Sequence, residues 1–116
     1  MPHFVIHCSE TVLDMQPAGE IIREVFNVAV STGLFNTRQI NVRLQSFRNH
    51  QAGKSGEDFI AVFAYIMEGR TDEQKNDLSQ QVVRKLIDMF PDVPLISMSI
   101  TEIQKATYVN RDILGV

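Results

Sequence analysis

Two residues in this chain have the type and position to do chemistry: Pro2 and Arg70. Pro2 follows the initiating methionine, and so small a second residue permits Met1 to be trimmed. Once trimmed, Pro2 is a secondary amine held rigid by its own ring at the start of a strand. An ordinary α-amino group titrates near roughly 7.7 to 8.0. Enclosure in an apolar pocket, or a nearby arginine, disfavours its charged form and lowers that value to about 6 to 7, where a general base works at neutral pH. With Met1 in place Pro2 is an amide nitrogen and offers no base. A proline in second place is common, so alone it says little. Arg70 lies between the end of an apolar run and the start of a helical pattern, in Glu68-Gly69-Arg70-Thr71-Asp72-Glu73-Gln74-Lys75. An arginine there can grip a carboxylate with two parallel hydrogen bonds, or it can be a solvated arginine beside a helix cap.

The remaining reactive side chains read as structural. His3 and His7 are four apart on a strand, about 13 Å at roughly 3.3 Å per residue, too far to share one metal ion with bonds of about 2 Å. They read as strand or pocket-wall histidines, and no metal site is expected. Cys8 alternates with Phe4 and Ile6 and reads as an inert core thiol. Gly53-Lys54-Ser55-Gly56 partly matches a phosphate loop, but it lacks the leading glycine spacing and a helix directly after it. Tyr108 and Arg111, in the tail, are candidates to reach a neighbouring site in an oligomer.

The elements that must position Pro2 and Arg70 follow from periodicity. His3 to Cys8 alternates as a strand. Ser9 to Gln16 reads as a polar loop. Ala18, Ile21, Ile22, Val25, Phe26 and Ala29 recur on one helical face, with Pro17 at the start and Gly33 just past the end. A second strand spans about residues 39–47, with Ile40, Val42 and Leu44 on one face. Residues 48–58 form a polar connection. Phe59 to Met67 is apolar on both faces, as in a central, covered strand. Thr71 and Gln74 make a capping box, with Asp72 and Glu73 in the first turn. The helix after them carries Leu78, Val82, Val83, Leu86, Ile87 and Phe90 on its apolar side and stops at Pro91 and Pro94. A fourth strand runs from about Leu95 to Glu102.

The order is one β-α-β unit written twice, about residues 2–48 and 58–105, with a tail over 106–116. A chain of 116 residues suits one such domain. The expected architecture is an α/β two-layer sandwich: a tandem β-α-β repeat giving a four-stranded sheet with both helices on one face, each crossover right-handed. The apolar central strand leaves a second sheet face to cover, which predicts a closed oligomer. A formal net charge of -3 leaves no basic footprint, so no nucleic-acid partner is expected. The first residues have no basic stretch leading into an apolar run, as a signal peptide would. No run approaches the ~18 apolar residues of a membrane span. The single cysteine fits a reducing, cytoplasmic setting.

The string Gly69-Arg70-Thr71-Asp72-Glu73-Gln74-Lys75 resembles the Gly-Arg-Ser/Thr-x-Glu-Gln-Lys segment of the tautomerase superfamily, and Ile100-Thr101-Glu102 extends the likeness. Met1-Pro2-His3-Phe4 and Ser31-Thr32-Gly33-Leu34-Phe35 resemble its 5-carboxymethyl-2-hydroxymuconate delta-isomerase branch. The likeness covers nearly the whole chain. It implies a cofactor-independent isomerase in which Pro2 takes a proton from carbon or an enol oxygen beside a carbonyl and returns it at another carbon. Arg70 would bind a substrate carboxylate or stabilise the enolate. It also implies a homotrimer and an unsaturated oxo- or hydroxy-carboxylate substrate such as 5-carboxymethyl-2-hydroxymuconate, from aromatic catabolism. The family pattern has a second arginine on the strand after the first helix, where this chain has Asn41. Arg43, two residues on, shares that strand face. Either Arg43 takes the anion-binding role, or Asn41 offers a neutral hydrogen bond to a different substrate. An aryl-pyruvate keto-enol tautomerase, a decarboxylase, or a hydrating dehalogenase using Glu57 or Glu68 to activate water, keeps the fold with another reaction. A non-catalytic binding protein on the same scaffold is the remaining alternative.

Overall fold

The computed structural model describes residues 1–116. Strand β1 is His3–Ser9, and its alternation places Phe4, Ile6 and Cys8 in the core with no exposed surface. A short helix α1, Val12–Met15, follows where the sequence reads as a loop. Four residues are too few to show a helical period, but Val12 is completely buried and anchors the turn. Helix α2 is Ala18–Ser31, directly after Pro17, with Ile21, Val25 and Ala29 inward. Gly33 then adopts φ +70°, the left-handed conformation that glycine takes without steric cost.

Strands β2 (Asn41–Phe47) and β3 (Phe59–Met67) flank β1. Helix α3, Asp72–Met89, opens with the expected capping box. The Gln74 N–H donates to Thr71 Oγ1 at 3.1 Å, and the Thr71 N–H to Gln74 Oε1 at 3.0 Å. Strand β4 is Leu95–Ile103, and a last short helix, α4, is Arg111–Leu114.

The sheet order is β2-β1-β3-β4. Each β-α-β unit pairs its own strands in parallel, β1 with β2 and β3 with β4, and the units join through antiparallel β1–β3. Helices α2 and α3 lie side by side on one face, and the core forms between them and Phe4, Ile6, Ile60, Val62 and Ala64. The doubled plan and its one-sided helix layer are therefore as expected from periodicity.

Helix α3 departs in one detail. Leu78, Val82, Leu86 and Phe90 are buried, but Ile87 is 48% exposed and Val83 only half-buried. The inward stripe is the i, i+4 series from Leu78. Val83 and Ile87 sit one residue, about 100° of helix rotation, away from it. The other sheet face carries Phe63 and Tyr65, 38% and 37% exposed, with no layer of this chain over them.

Candidate active site at the head of the first strand

Pro2 immediately precedes β1, one of the two central strands. Its carbonyl accepts the Asn41 N–H at 3.0 Å, which extends the β1–β2 ladder by one bond beyond the strand. The ring is fully buried. The start of the chain is therefore fixed by the sheet.

On the helix-free face, His3 is opposite Asn41 on β2 and Tyr65 on β3, and Arg43 is opposite Val5 one step along. Aligned positions of neighbouring strands share a face, so these side chains meet. Arg43 Nη1 donates to His3 Nδ1 at 2.9 Å and to Asn41 Oδ1 at 3.0 Å. Nδ1 thus acts as acceptor, which places the proton of the neutral ring on Nε2. The His3 pKa lies below its ordinary value. Burial is the main cause, followed by the positive chain terminus and by Arg43, while a polar contact with the Asn41 side chain works the other way.

Arg43 and Asn41 are therefore hydrogen-bonded to each other. The Asn41 oxygen orients the guanidinium, and most of the five guanidinium donors remain for a ligand. Beside them is a cavity of about 240 Å³ walled by Met1, His3, Arg43, Tyr65, Ile103 and Tyr108. A larger space of about 530 Å³ adjoins Met1 and Tyr108 on another side, with Gln39, Met67 and Lys105 in its wall.

Arg70 is placed elsewhere. Half-buried, it donates from Nη2 to the Leu34 carbonyl at 2.5 Å, and its guanidinium lies 5.2 Å from the centre of the Phe35 ring. Phe35 in turn meets Phe4 of β1 edge-on, with ring centres 6.1 Å apart. Within the chain Arg70 clamps the turn before α3 to the connection after α2, and it lines neither cavity beside Met1.

The other candidates have structural surroundings. His7 packs between Phe47 and Phe63, with ring centres at 5.0 and 5.2 Å. Cys8 is buried, and burial pushes its thiol pKa up to about 11. Glu68 Oε2 accepts the Lys105 N–H at 2.7 Å. Arg111 donates from Nε to the Val116 carbonyl and closes the tail on itself. Tyr108 lines its own chain's cavities beside Met1. Tyr65 and Lys105 are cavity residues that sequence reasoning did not single out. Strand alternation could have found Tyr65, which faces the same way as Phe63. Lys105 follows the last strand, where no periodicity remains to read.

A mixed four-stranded sheet built from two β-α-β units, with residue 2 sealed at the head of a central strand, defines a tautomerase-type fold. The chain belongs to the 5-carboxymethyl-2-hydroxymuconate isomerase family, whose family model matches residues 2–113, and it is an isomerase of that family. Among solved structures it is similar to a 5-carboxymethyl-2-hydroxymuconate isomerase from Deinococcus radiodurans R1. The TM-score is 0.82 at 18% identity, over 94% of this chain and 87% of that one. It is also similar to a 5-carboxymethyl-2-hydroxymuconate delta-isomerase, with TM-score 0.76, 13% identity and coverage of 95% and 86%. A fused 4-OT protein described as a symmetric trimer gives 0.76 at 17% identity, over 98% and 99%. A search of curated proteins finds no match. No helix is long and apolar enough to cross a membrane.

Proposed function

We propose that this isomerase works with Pro2 as its base once Met1 has been removed. One observation carries the reading: the buried Pro2 heads a central strand, and Met1, the residue bonded to its nitrogen, lines the cavity that also holds His3, Arg43 and Tyr65. Freed, the amine would sit among apolar walls close to one guanidinium, and both features favour its neutral, proton-accepting form. The amine takes a proton from carbon or an enol oxygen next to a carbonyl, the electron pair delocalises onto the carbonyl oxygen, and the same proton returns at a distant carbon. Arg43, oriented by Asn41, stabilises the oxyanion. His3, held neutral, adds no competing positive charge.

The substrate in this reading is 5-carboxymethyl-2-hydroxymuconate or a close relative. As its name states, that molecule has a carboxylate at each end of the muconate chain and a third on the carboxymethyl arm. Arg70 uses one donor on Leu34 and retains others, so it can serve a carboxylate in the assembled protein. A homotrimer is part of the proposal. It is supported by the uncovered face bearing Phe63 and Tyr65 and by the trimeric relative. The lone, buried Cys8 is compatible with work in the cytoplasm.

Asn41, a neutral residue where the family pattern has arginine, favours a second reading with fewer substrate anions: keto-enol tautomerisation of an aryl pyruvate. A panel of carboxymethyl-hydroxymuconate and aryl pyruvates, followed by ultraviolet absorbance, separates the two. Mass spectrometry establishes whether Met1 is gone. Pro2→Ala in the trimmed protein is expected to lose at least about a hundredfold in turnover, the scale of a positioned general base. Undiminished turnover, or full activity with Met1 retained, excludes the proline base.

A further inference from the structure

The chain after β4 folds back towards its own beginning. Lys105–Thr107 form a single 3-10 turn, and the Lys105 N–H donates to Glu68 Oε2 at 2.7 Å. The Glu68 N–H donates to the Ile103 carbonyl at 3.0 Å. These two bonds pin the start of the tail to the turn after β3. Further on, Asn110 Oδ1 accepts the Ile113 N–H at 2.8 Å and caps α4. Tyr108 lies between the pinned segments and is held beside Met1.

The tail so placed lines one side of an open cavity of about 530 Å³, within the roughly 300 to 1,000 Å³ typical of small-molecule sites. Met1 and Tyr108 belong to this cavity and to the smaller one beside Arg43. Met1 is thus a wall common to the two spaces, with Arg43 in the lining of one and Lys105 in the lining of the other.

Lys105 is the one cationic side chain in the wall of the larger space. The five ion pairs of the chain use Arg23, Arg48, Lys75 twice and Lys85, and none involves Lys105. Asp112 shares the wall without pairing to it. Asn41 cannot supply a charge, and its oxygen is committed to Arg43. A substrate with several carboxylates needs a further positive group, and the start of the tail brings one to the larger space beside Met1.

We propose that Lys105 binds a substrate carboxylate there, so that a polycarboxylate spans from Arg43 to Lys105 across the freed Pro2. The inference rests on the isomerase reading above and assigns one of its anion-binding groups. Its test is a binding measurement that does not need turnover. The Met1-trimmed protein and its Lys105→Met and Lys105→Arg variants are titrated calorimetrically with adipate, a saturated dicarboxylate, and with hexanoate, its monocarboxylate counterpart. Lys105→Met is expected to weaken adipate about tenfold, the low end for a hydrogen bond to a charged group at a partly open site. Hexanoate should change less than twofold, and Lys105→Arg should restore adipate. Equal weakening of both probes, unchanged adipate affinity, or no adipate binding by the parent protein each overturns the assignment. The proline base is judged separately by the turnover of Pro2→Ala, so either idea can fail while the other stands.

Discussion

Replacing Arg70 by methionine removes the guanidinium and keeps an apolar stem, so it isolates what the charged head does. In the structure that head makes one charge-assisted bond to the Leu34 carbonyl at 2.5 Å and lies 5.2 Å from the Phe35 ring centre. A hydrogen bond to a charged group contributes about 1.5 to 3 kcal/mol, and a cation–π contact at a partly exposed site about 0.5 to 1 kcal/mol. Arg70 is only half-buried. Water can therefore replace part of what the Leu34 carbonyl loses, which brings the expected loss to about 2 kcal/mol. For a chain of 116 residues, about 4 °C of melting temperature accompanies each kcal/mol. Arg70→Met should therefore melt about 8 °C lower than the parent, measured by circular dichroism at matched protein concentration because assembly contributes to stability. Arg70→Lys retains the charge without the planar fork and should fall between the two. In a double-mutant cycle with Phe35→Leu, the coupling should be about 0.5 to 1 kcal/mol. A melting point within about 1 °C of the parent would refute the clamp. If Arg70→Met at the same time raised KM for carboxylate substrates, Arg70 would be a binding group alone.

Three further outcomes concern the titrating groups. The native pKa of His3 is depressed below its ordinary 6.5, so its contribution to stability is present above about pH 6.5 and is lost as pH falls through the native value. His3→Gln should flatten the drop in melting temperature between pH 7.5 and 5, and an unchanged drop would remove His3 as its source. Arg43→Met removes one of the charges that depress it, so the His3 titration followed by NMR should move upward; a downward move contradicts the contact. Cys8, buried with its pKa pushed up to about 11, should resist Ellman's reagent at pH 8 in the folded protein and react fully in guanidinium. Reaction at the rate of a free thiol without denaturant would show that the strand opens easily.

Much of the scaffold was legible because its signals are local. The Thr71–Gln74 capping box, the alternation of Phe4, Ile6 and Cys8, and the left-handed turn at Gly33 depend on neighbours a few residues apart. Helix α1 was not legible, since its anchor is one buried valine that contacts the core through space. The outer placement of Ile87 was not legible either, because sequence shows an apolar residue on the flank of a helix but not how wide a stripe the sheet will cover.

The site divides in the same way. The family resemblance legible in the sequence supplied the pairing of a second-position proline with a Gly-Arg-Thr turn and the absence of arginine at position 41, and strand alternation supplied the element that carries Arg43. Tertiary structure decided what each of them touches. His3, Asn41 and Arg43 meet because β1 and β2 pair in a single register, Arg70 turns to Leu34 and Phe35 across 36 residues of chain, and the tail brings Tyr108 and Lys105 to Met1. Local patterning sets which residues share a face of one element. Which faces meet depends on the strand register and on how the tail is pinned, and those follow from packing the whole chain around one core.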